Sequence, residues 1–424
     1  MRQNTLAYFA SYSLSLLGNG IASVLLPLLV LARTGDVLAA GVVASVTAGI
    51  SALIGPFAGV LIDRVNRRTI SIASDILSAG AVMALPIVDG LWGLTMHWFV
   101  ILAILGAFGD APGMTAREVL LPRLARENSS RPDVLDRLVG TREALSGALM
   151  LAAPGLGGLL IAIAGVGSTT LFITAGTSLA AAVLSFGIRH SAGEPEKNGE
   201  MQNVHGHPIR SVISDLLAAL RFLLKNRLVL GATLLTALFV AASAALQTSL
   251  LPAYFTAQDL PGLTGLVLSC MSAGGLIGAG VYAVVAGKIS RRTWFVVGMV
   301  GTTAGYFGLG VLAAPWLVVG SAFVIGLTGA PVSAAIGVAT IEATPDNVRG
   351  RILSAQNAIT MAAPAISAAP IAAIASGFGL SNAGITLAVI IAAACALSIA
   401  APAFRNLNSI STAPSSGRGN ERVT

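Results

Sequence analysis

Residues 59–70 read GVLIDRVNRRTI, a stretch that holds one aspartate, three arginines and one asparagine. Long apolar runs flank it on both sides, and each is about 20 residues long, enough to cross the hydrocarbon core of a bilayer. A similar segment, KISRRT, recurs at 288–293 and echoes RVNRRT at 64–69. The charged stretch therefore marks a short connection between two membrane-spanning helices, and its echo indicates that the chain is built from two related halves.

The composition of the whole chain is typical of a membrane protein. Its 424 residues are 55% hydrophobic and 10% charged, and the mean hydropathy is +0.84. Soluble globular chains carry about 25% charged residues. The apolar runs do not alternate with polar residues, which excludes the strands of an outer-membrane barrel. We therefore predict an all-α membrane protein.

Twelve apolar segments predict twelve transmembrane helices in two six-helix halves. The predicted halves are 1–190 and 228–404, joined by a polar linker at 191–227 and followed by a disordered tail at 405–424. A charged connection at 117–137, between the fourth and fifth spans, is expected to form a short surface helix. The predicted spans are 5–32, 38–62, 69–89, 95–116, 138–164, 168–189, 228–256, 262–286, 293–313, 315–342, 352–376 and 380–404.

Basic residues are distributed unevenly between the two sides that alternating spans define. If the N-terminus lies inside, 24 of the 25 Lys and Arg residues fall in inside segments, and Arg33 alone is left outside. By the positive-inside rule, both termini, the linker and the tail are expected to be cytoplasmic. An odd number of spans would destroy this alternation, so the charges support the count of twelve.

The stretch at 59–70 resembles the loop signature of the major facilitator superfamily, G-x-L-x-D-R-x-G-R-R, which lies between the second and third spans. Asn66 replaces the usual glycine, and asparagine tolerates a left-handed turn better than most residues do. The resemblance implies the major facilitator fold and a cytoplasmic latch, in which the aspartate meets helix ends across the two halves. The matching residues are Gly59, Leu61, Asp63, Arg64, Arg67 and Arg68.

The latch is expected to stabilise the state that is shut on the cytoplasmic side. Asp110 and Glu143 are the expected partners for Arg67 or Arg68. Asp110 is also the best candidate for a proton carrier, although a role in the latch or at a helix end is the stronger expectation. The alternative is that the arginines only fix the orientation of the chain in the membrane.

The fifth span resembles a pattern that exporters of the superfamily carry, G-x8-G-x3-G-P-x2-G-G. Leu149 and Ala153 replace two of its glycines, and the residues that match are Gly140, Pro154, Gly157 and Gly158. Small residues and a proline allow helices to pack closely and to bend. Together with features of the first three spans, the pattern resembles the bacterial macrolide-efflux and siderophore-export branch and favours export. The alternative is that Gly and Pro are simply common in membrane helices.

A few polar residues within the spans indicate where a substrate would bind. The resemblance implies that the first and seventh spans line a central cavity, with Asn19, Phe239, Ser243 and Gln247 as its candidate residues. Ser243 and Gln247 are four residues apart and are expected to share one helix face with Phe239. Such a face fits an amphiphilic or apolar substrate. The alternative for the polar residues is hydrogen bonding between helices.

These observations predict a secondary exporter of a small amphiphilic compound, such as a drug, a macrolide or a siderophore. It would work by alternating access and proton antiport, as a monomer in the bacterial cytoplasmic membrane. The alternatives are a proton-coupled uptake symporter and a non-transporting receptor or scaffold with the same fold. The four histidines form no metal set and no G-x4-G-K-[ST] loop is present. No metal, cofactor, nucleic acid or enzymatic activity is therefore expected.

Overall fold

The structure is a computed structural model and describes residues 3–128, 133–194, 221–285, 288–344, 349–405 and 407. Twelve long helices account for most of the described residues. The N-terminal half contains α1 (Gln3–Thr34), α2 (Val37–Arg64), α3 (Arg67–Trp92), α4 (Met96–Asn128), α5 (Asp133–Ala164) and α6 (Ser168–Ser185). The C-terminal half contains α7 (Arg227–Ala257), α8 (Leu263–Val285), α9 (Arg291–Gly310), α10 (Pro315–Glu342), α11 (Arg349–Phe378) and α12 (Leu380–Ala400).

Eleven of these helices are long and apolar enough to cross a membrane. Among the described helices of that length, the exception is α9, whose sequence is rich in glycine and threonine. It nevertheless packs along α10 and α12 and buries Phe295, Met299 and Tyr306 in the main core. It therefore completes the bundle, and the prediction of an all-α membrane protein is confirmed.

The prediction of a separate surface helix at 117–137 is wrong. α4 continues to Asn128 and α5 begins at Asp133. The reason is a row of leucines, Leu120, Leu121 and Leu124, which are buried in a small core with α1 and α5. Leucines at this spacing favour one continuous helix, because they present one apolar face to its neighbours. The charged residues at 117–128 therefore lie on α4 itself.

The repeated segments begin the third helix of each half in the same way. Asn66, at φ −59°, precedes α3, and its side-chain oxygen accepts hydrogen bonds from the N–H groups of Arg68 (3.0 Å) and Thr69 (3.4 Å). Ser290, at φ −64°, precedes α9 and accepts from the N–H of Thr293 at 3.1 Å. Both residues are N-caps, which adopt an extended backbone. The left-handed turn expected at Asn66 is therefore not formed.

The two halves meet along two helix pairs, α2 with α11 and α5 with α8. These contacts run from the middle of the bundle to the distal end, which we define as the end opposite the starts of α1 and α7. On the first pair, Gly41 faces Ala368 and Ala372, and the Ser45 hydroxyl accepts a hydrogen bond from the Ala369 N–H at 3.0 Å. The halves are therefore closed against each other at the distal end. The end that carries the starts of α1 and α7 is the terminal end.

Candidate functional site

A cavity of about 420 Å³ lies within the N-terminal half, between α1, α2, α3 and α4. Residues of α7 and α11 cover the side that faces the C-terminal half. Most of the wall is aliphatic, and Asp110 is the one ionisable residue that lines it in the described part of the chain. The other polar residues of the wall are Asn19, Ser23, Thr47, Ser78, Gln247 and Thr248.

Asp110 lies on α4 at the terminal side of this cavity, beside Ser78 of α3. The Ser78 hydroxyl is hydrogen-bonded to its carboxylate. Arg67 and Arg68, its expected partners, lie at the start of α3, about 15 Å from Ser78 along the helix axis at 1.5 Å per residue. The structure thus places Asp110 in the cavity wall rather than beside the charged stretch.

The four residues expected to line a cavity are divided between two places. Asn19 and Gln247 line the cavity. The Ser243 hydroxyl instead lies 3.5 Å from the hydroxyl of Tyr306 on α9, and Phe239 packs against the main core. Ser243 and Gln247 therefore do not share one face of α7.

A π-helical turn lies at Leu246–Leu250, shortly after Ser243. Its hydrogen bonds join residues five apart, so it contains an extra residue and rotates the rest of α7 relative to the α-helix before it. Ala244, before the turn, and Gln247 and Thr248, within it, all line the cavity wall. The hydrophobic pattern carries no signal of this turn, because every residue in it is compatible with an ordinary α-helix.

A buried ion pair joins α3 and α4 on the terminal side of the cavity. The Arg117 guanidinium contacts the Asp75 carboxylate, and the two side chains are only 3% and 5% exposed. Ser15 of α1 completes the cluster, since it accepts from Arg117 (2.8 Å) and donates to Asp75 (3.1 Å). The prediction that Arg117 lies in a surface segment is therefore wrong. The available signal was Asp75 itself, an acid within a span that needs a cationic partner.

The charged stretch is only partly described. Gly59 and Asp63 belong to α2, but the surroundings of Gly59 and the side chain of Asp63 are not among the described features. Arg64 is exposed at the end of α2, and the Nε atom of Arg67 is buried with no hydrogen-bond partner among the described residues. Glu143 is exposed on α5 and pairs with the arginine that precedes it, at 2.7 Å. The latch thus stays a prediction.

Arg68 has a role within its own half. Its guanidinium donates hydrogen bonds to the carbonyl oxygens of Ser185 (3.2 Å) and Phe186 (2.8 Å), at the end of α6. Arg292 occupies the equivalent place in the second repeat and donates to the Ile399 carbonyl at 2.6 Å, near the end of α12. Each arginine therefore ties the start of the third helix to the end of the sixth helix.

The fifth-helix motif lies partly in the contact between the halves. A Cβ atom at Gly158 would lie 3.1 Å from the Cα of Gly265 on α8, and Gly265 also lies against the Pro154 carbonyl. Gly157 packs against α1, whereas Gly140 has nothing within 4 Å. Three of the four motif residues therefore permit close helix packing, and two of them do so across the halves.

A twelve-helix bundle with two related halves, an internal cavity and small-residue contacts between the halves defines a multi-pass membrane transporter. The sequence profile of the Major Facilitator Superfamily matches residues 8–292 and 243–421. The chain belongs to the Major Facilitator Superfamily. Both the family and the fold expected from residues 59–70 are thereby confirmed.

Two relatives and one solved structure illustrate the similarity. The multidrug efflux pump Tap of Mycolicibacterium fortuitum is 30% identical over 356 residues, which is 82% of this chain and 83% of that protein. Tap of Mycobacterium bovis (strain BCG / Pasteur 1173P2) is 29% identical over 399 residues, 92% of this chain and 91% of that protein. A mutant of the nucleoside transporter NupG has a TM-score of 0.76 at 12% identity, covering 95% of this chain and 99% of that one. The chain is thus a transporter that acts on small-molecule substrates.

Proposed function

We propose that the chain is a proton-coupled exporter of small amphiphilic cations, with Asp110 as the residue that holds either the proton or the cation. The observation that carries the proposal is the aliphatic cavity with one carboxylate in its described wall. An ionised carboxylate in a membrane interior is costly unless a cation compensates it. A proton and a cationic substrate would therefore compete for Asp110, and such competition produces antiport.

Different observations support the direction of transport and the orientation of the protein in the membrane. The two relatives carry the name multidrug efflux pump, which favours export. The excess of basic residues, 24 of 25, favours a cytoplasmic position for both termini and for the terminal end. Because the halves meet at the distal end, this conformation would take up its substrate from the cytoplasm. We place the protein as a monomer in the bacterial cytoplasmic membrane.

The transport cycle alternates this conformation with one that is open at the distal end. The halves at 1–190 and 228–404 move as units about the linker at 191–227. Closure of the terminal end is the step in which Asp63 and Arg67 would act as a latch. The cavity walls, which come from both halves, then separate on the outer side and release the substrate.

Transport in liposomes tests the proposal. The purified protein is reconstituted around a pH-sensitive dye, and cationic, neutral and anionic amphiphiles of similar size are added in turn. Cationic amphiphiles are expected to move protons in the opposite direction, and Asp110→Asn to abolish this movement. Asp89→Asn, which removes a partly exposed acid at the distal end, serves as the matched control.

Three outcomes would contradict parts of the proposal. Substrate flux without proton movement would remove the coupling. Proton and substrate movement in the same direction would indicate the uptake symporter. If none of the amphiphiles is transported although the protein in the liposomes is folded, the non-transporting scaffold would be favoured.

A further inference from the structure

We propose that the buried Asp75–Arg117 pair sets the charge around the cavity so that Asp110 accepts one monovalent cation at a time. Asp75 and Arg117 are positioning residues in this proposal, because they act on the proton and the substrate through Asp110. The inference rests on the proposed function of Asp110 and adds to it the number of charges that the site can hold.

Helices α1, α3 and α4 each supply two polar residues, one to each of two neighbouring layers. We call the six residues the buried polar cluster. The spacing is four residues on α1, three on α3 and seven on α4, and each spacing keeps the two residues on one helix face. The lower layer is nearer the terminal end by about 5 to 10 Å, at 1.5 Å per residue. The layer at the cavity contains Asn19, Ser78 and Asp110, and the lower layer contains Ser15, Asp75 and Arg117.

The helices that carry the buried polar cluster are packed closely together. The Ser74 hydroxyl donates a hydrogen bond to the Gly109 carbonyl, and a Cβ atom at Gly109 would lie 3.0 Å from the Ser74 carbonyl oxygen. Gly113 also lies against the Ser74 side chain. The lower layer and Asp110 are therefore held by two helices in direct contact.

The formal charges of the buried polar cluster sum to one negative charge. Asp75 and Arg117 cancel within the lower layer, which leaves the charge of Asp110 to be compensated by a proton or by a substrate cation. The titratable neighbours on α1 are Tyr8, which donates a hydrogen bond to the Arg117 carbonyl, and Tyr12. Nearer the terminal end, Arg142 of α5 lies 3.6 Å from Glu118 of α4 and 2.7 Å from Glu143 of α5, and both glutamate side chains are more than half exposed to solvent.

A purely structural role explains the buried ion pair less well. Breaking such a pair is costly, but replacing both partners by neutral residues is often tolerated, so a buried pair is weak evidence for stability. Charges within a membrane span are usually functional. The structural role predicts that removing either partner is equally harmful. Both roles allow recovery when both partners are removed, whereas the charge-setting role alone predicts that the two single substitutions change the net charge beside Asp110 in opposite directions.

Binding of tetraphenylphosphonium provides the test, because this lipophilic monocation has no titratable proton of its own. Its Kd is measured as a function of pH with the full-length protein in lipid nanodiscs. Asp75→Asn leaves Arg117 free to compensate Asp110, so we expect binding to weaken by about tenfold. Arg117→Gln leaves two acids, which hold a proton more tightly. The pH at which binding is half-maximal should therefore rise by about one unit.

A further variant is the double substitution Asp75→Asn with Arg117→Gln. It restores one net negative charge and is expected to return both the Kd and the pH midpoint to near the wild-type values. Asp75→Glu should also retain binding. The matched control is Arg33→Gln with Asp89→Asn, which removes an ion pair between α1 and α3 at the distal end. This control should not change the Kd.

Several results would overturn the inference. It fails if Asp75→Asn binds like the wild type, or if the folded double variant binds no better than Asp75→Asn. If Asp75→Asn does not fold, an unchanged pH midpoint in Arg117→Gln would be sufficient to overturn the inference. If Asp110→Asn binds like the wild type, the proposed function fails and this inference fails with it. If Asp110→Asn loses binding and Asp75→Asn does not, the inference alone is wrong.

Discussion

Arg68 and Arg292 show how charged residues of the repeated segments act within each half. Both guanidinium groups donate to carbonyl oxygens at or just beyond the end of the sixth helix of their half. Carbonyls in the last turn of a helix have no partner inside it and carry the negative end of the helix dipole. From the sequence, these arginines suggest only a role in membrane orientation or in a latch. In the structure, each one also joins two helices of its own half.

Removal of the Arg68 side chain should lower the thermal stability of the protein. Arg68→Ala loses two hydrogen bonds from a charged donor in a partly exposed site, and we expect a loss of about 1 to 2 kcal/mol. Arg64→Ala, on an exposed residue of the same stretch, is the matched control and should change stability by less than about 0.5 kcal/mol. The measurement is thermal unfolding in detergent. Equal effects of the two variants would contradict the assignment.

Substitutions of Asn66 distinguish an N-cap from a left-handed turn. Asn66→Ala should lower stability by about 1 kcal/mol because two N–H groups of α3 lose their acceptor, whereas Asn66→Ser should retain most of it. Asn66→Gly, which restores the family pattern, should bring no gain in stability at φ −59°. A clear gain in the melting temperature of Asn66→Gly would show that the left-handed turn forms instead.

Helices α4 and α7 show which features the sequence could and could not predict. Apolar runs and N-cap residues indicate the number of helices and most of their ends. A hydropathy pattern does not predict the end of α4, because it treats every arginine as exposed, whereas Arg117 is compensated by Asp75, 42 residues away. It does not predict the π turn in α7 either, because this turn changes the hydrogen bonds of the backbone and not the residue pattern. Tertiary partners and backbone register thus lie outside what the residue pattern can predict.

The contact between α5 and α8 should be sensitive to side-chain size at Gly158. A Cβ there would meet the Gly262 carbonyl and Gly265, so Gly158→Leu should wedge the two helices apart and slow transport while the protein remains folded. Gly140→Leu is the control on the same helix, because nothing lies within 4 Å of that position. Transport in liposomes and thermal unfolding are compared for both. Similar transport rates in the two variants would contradict a role for this contact in the cycle.

The two halves share a fold but differ in the polar groups that they bury. The N-terminal half carries the cavity and the buried polar cluster. In the C-terminal half, the described acid–base contact between helices is Arg291 with Glu342 (2.6 Å), near the terminal end and partly exposed. This asymmetry favours a division of roles, in which the N-terminal half binds the proton and the substrate. In the proposed cycle, the C-terminal half would cover and uncover the cavity through α7 and α11.

Closure at the distal end predicts one-sided access to the cavity. Ala103→Cys, on the cavity wall, is introduced into a background of Cys270→Ser and Cys395→Ser. A membrane-impermeant maleimide should label it faster from the cytoplasmic side, in inside-out vesicles, than from the outer side. Gln258→Cys, exposed in the distal connection between α7 and α8, should show the opposite preference.

The ligand dependence of this labelling extends the test to the whole cycle. Tetraphenylphosphonium should slow the labelling of Ala103→Cys, because it would occupy the same cavity, and should leave the labelling of Gln258→Cys unchanged. Gly158→Leu should shift the labelling of Ala103→Cys towards the outer side, since it weakens the contact that closes the distal end. In the protein that keeps Gly158, faster labelling of Ala103→Cys from the outer side would contradict both the closed distal end and the proposed orientation.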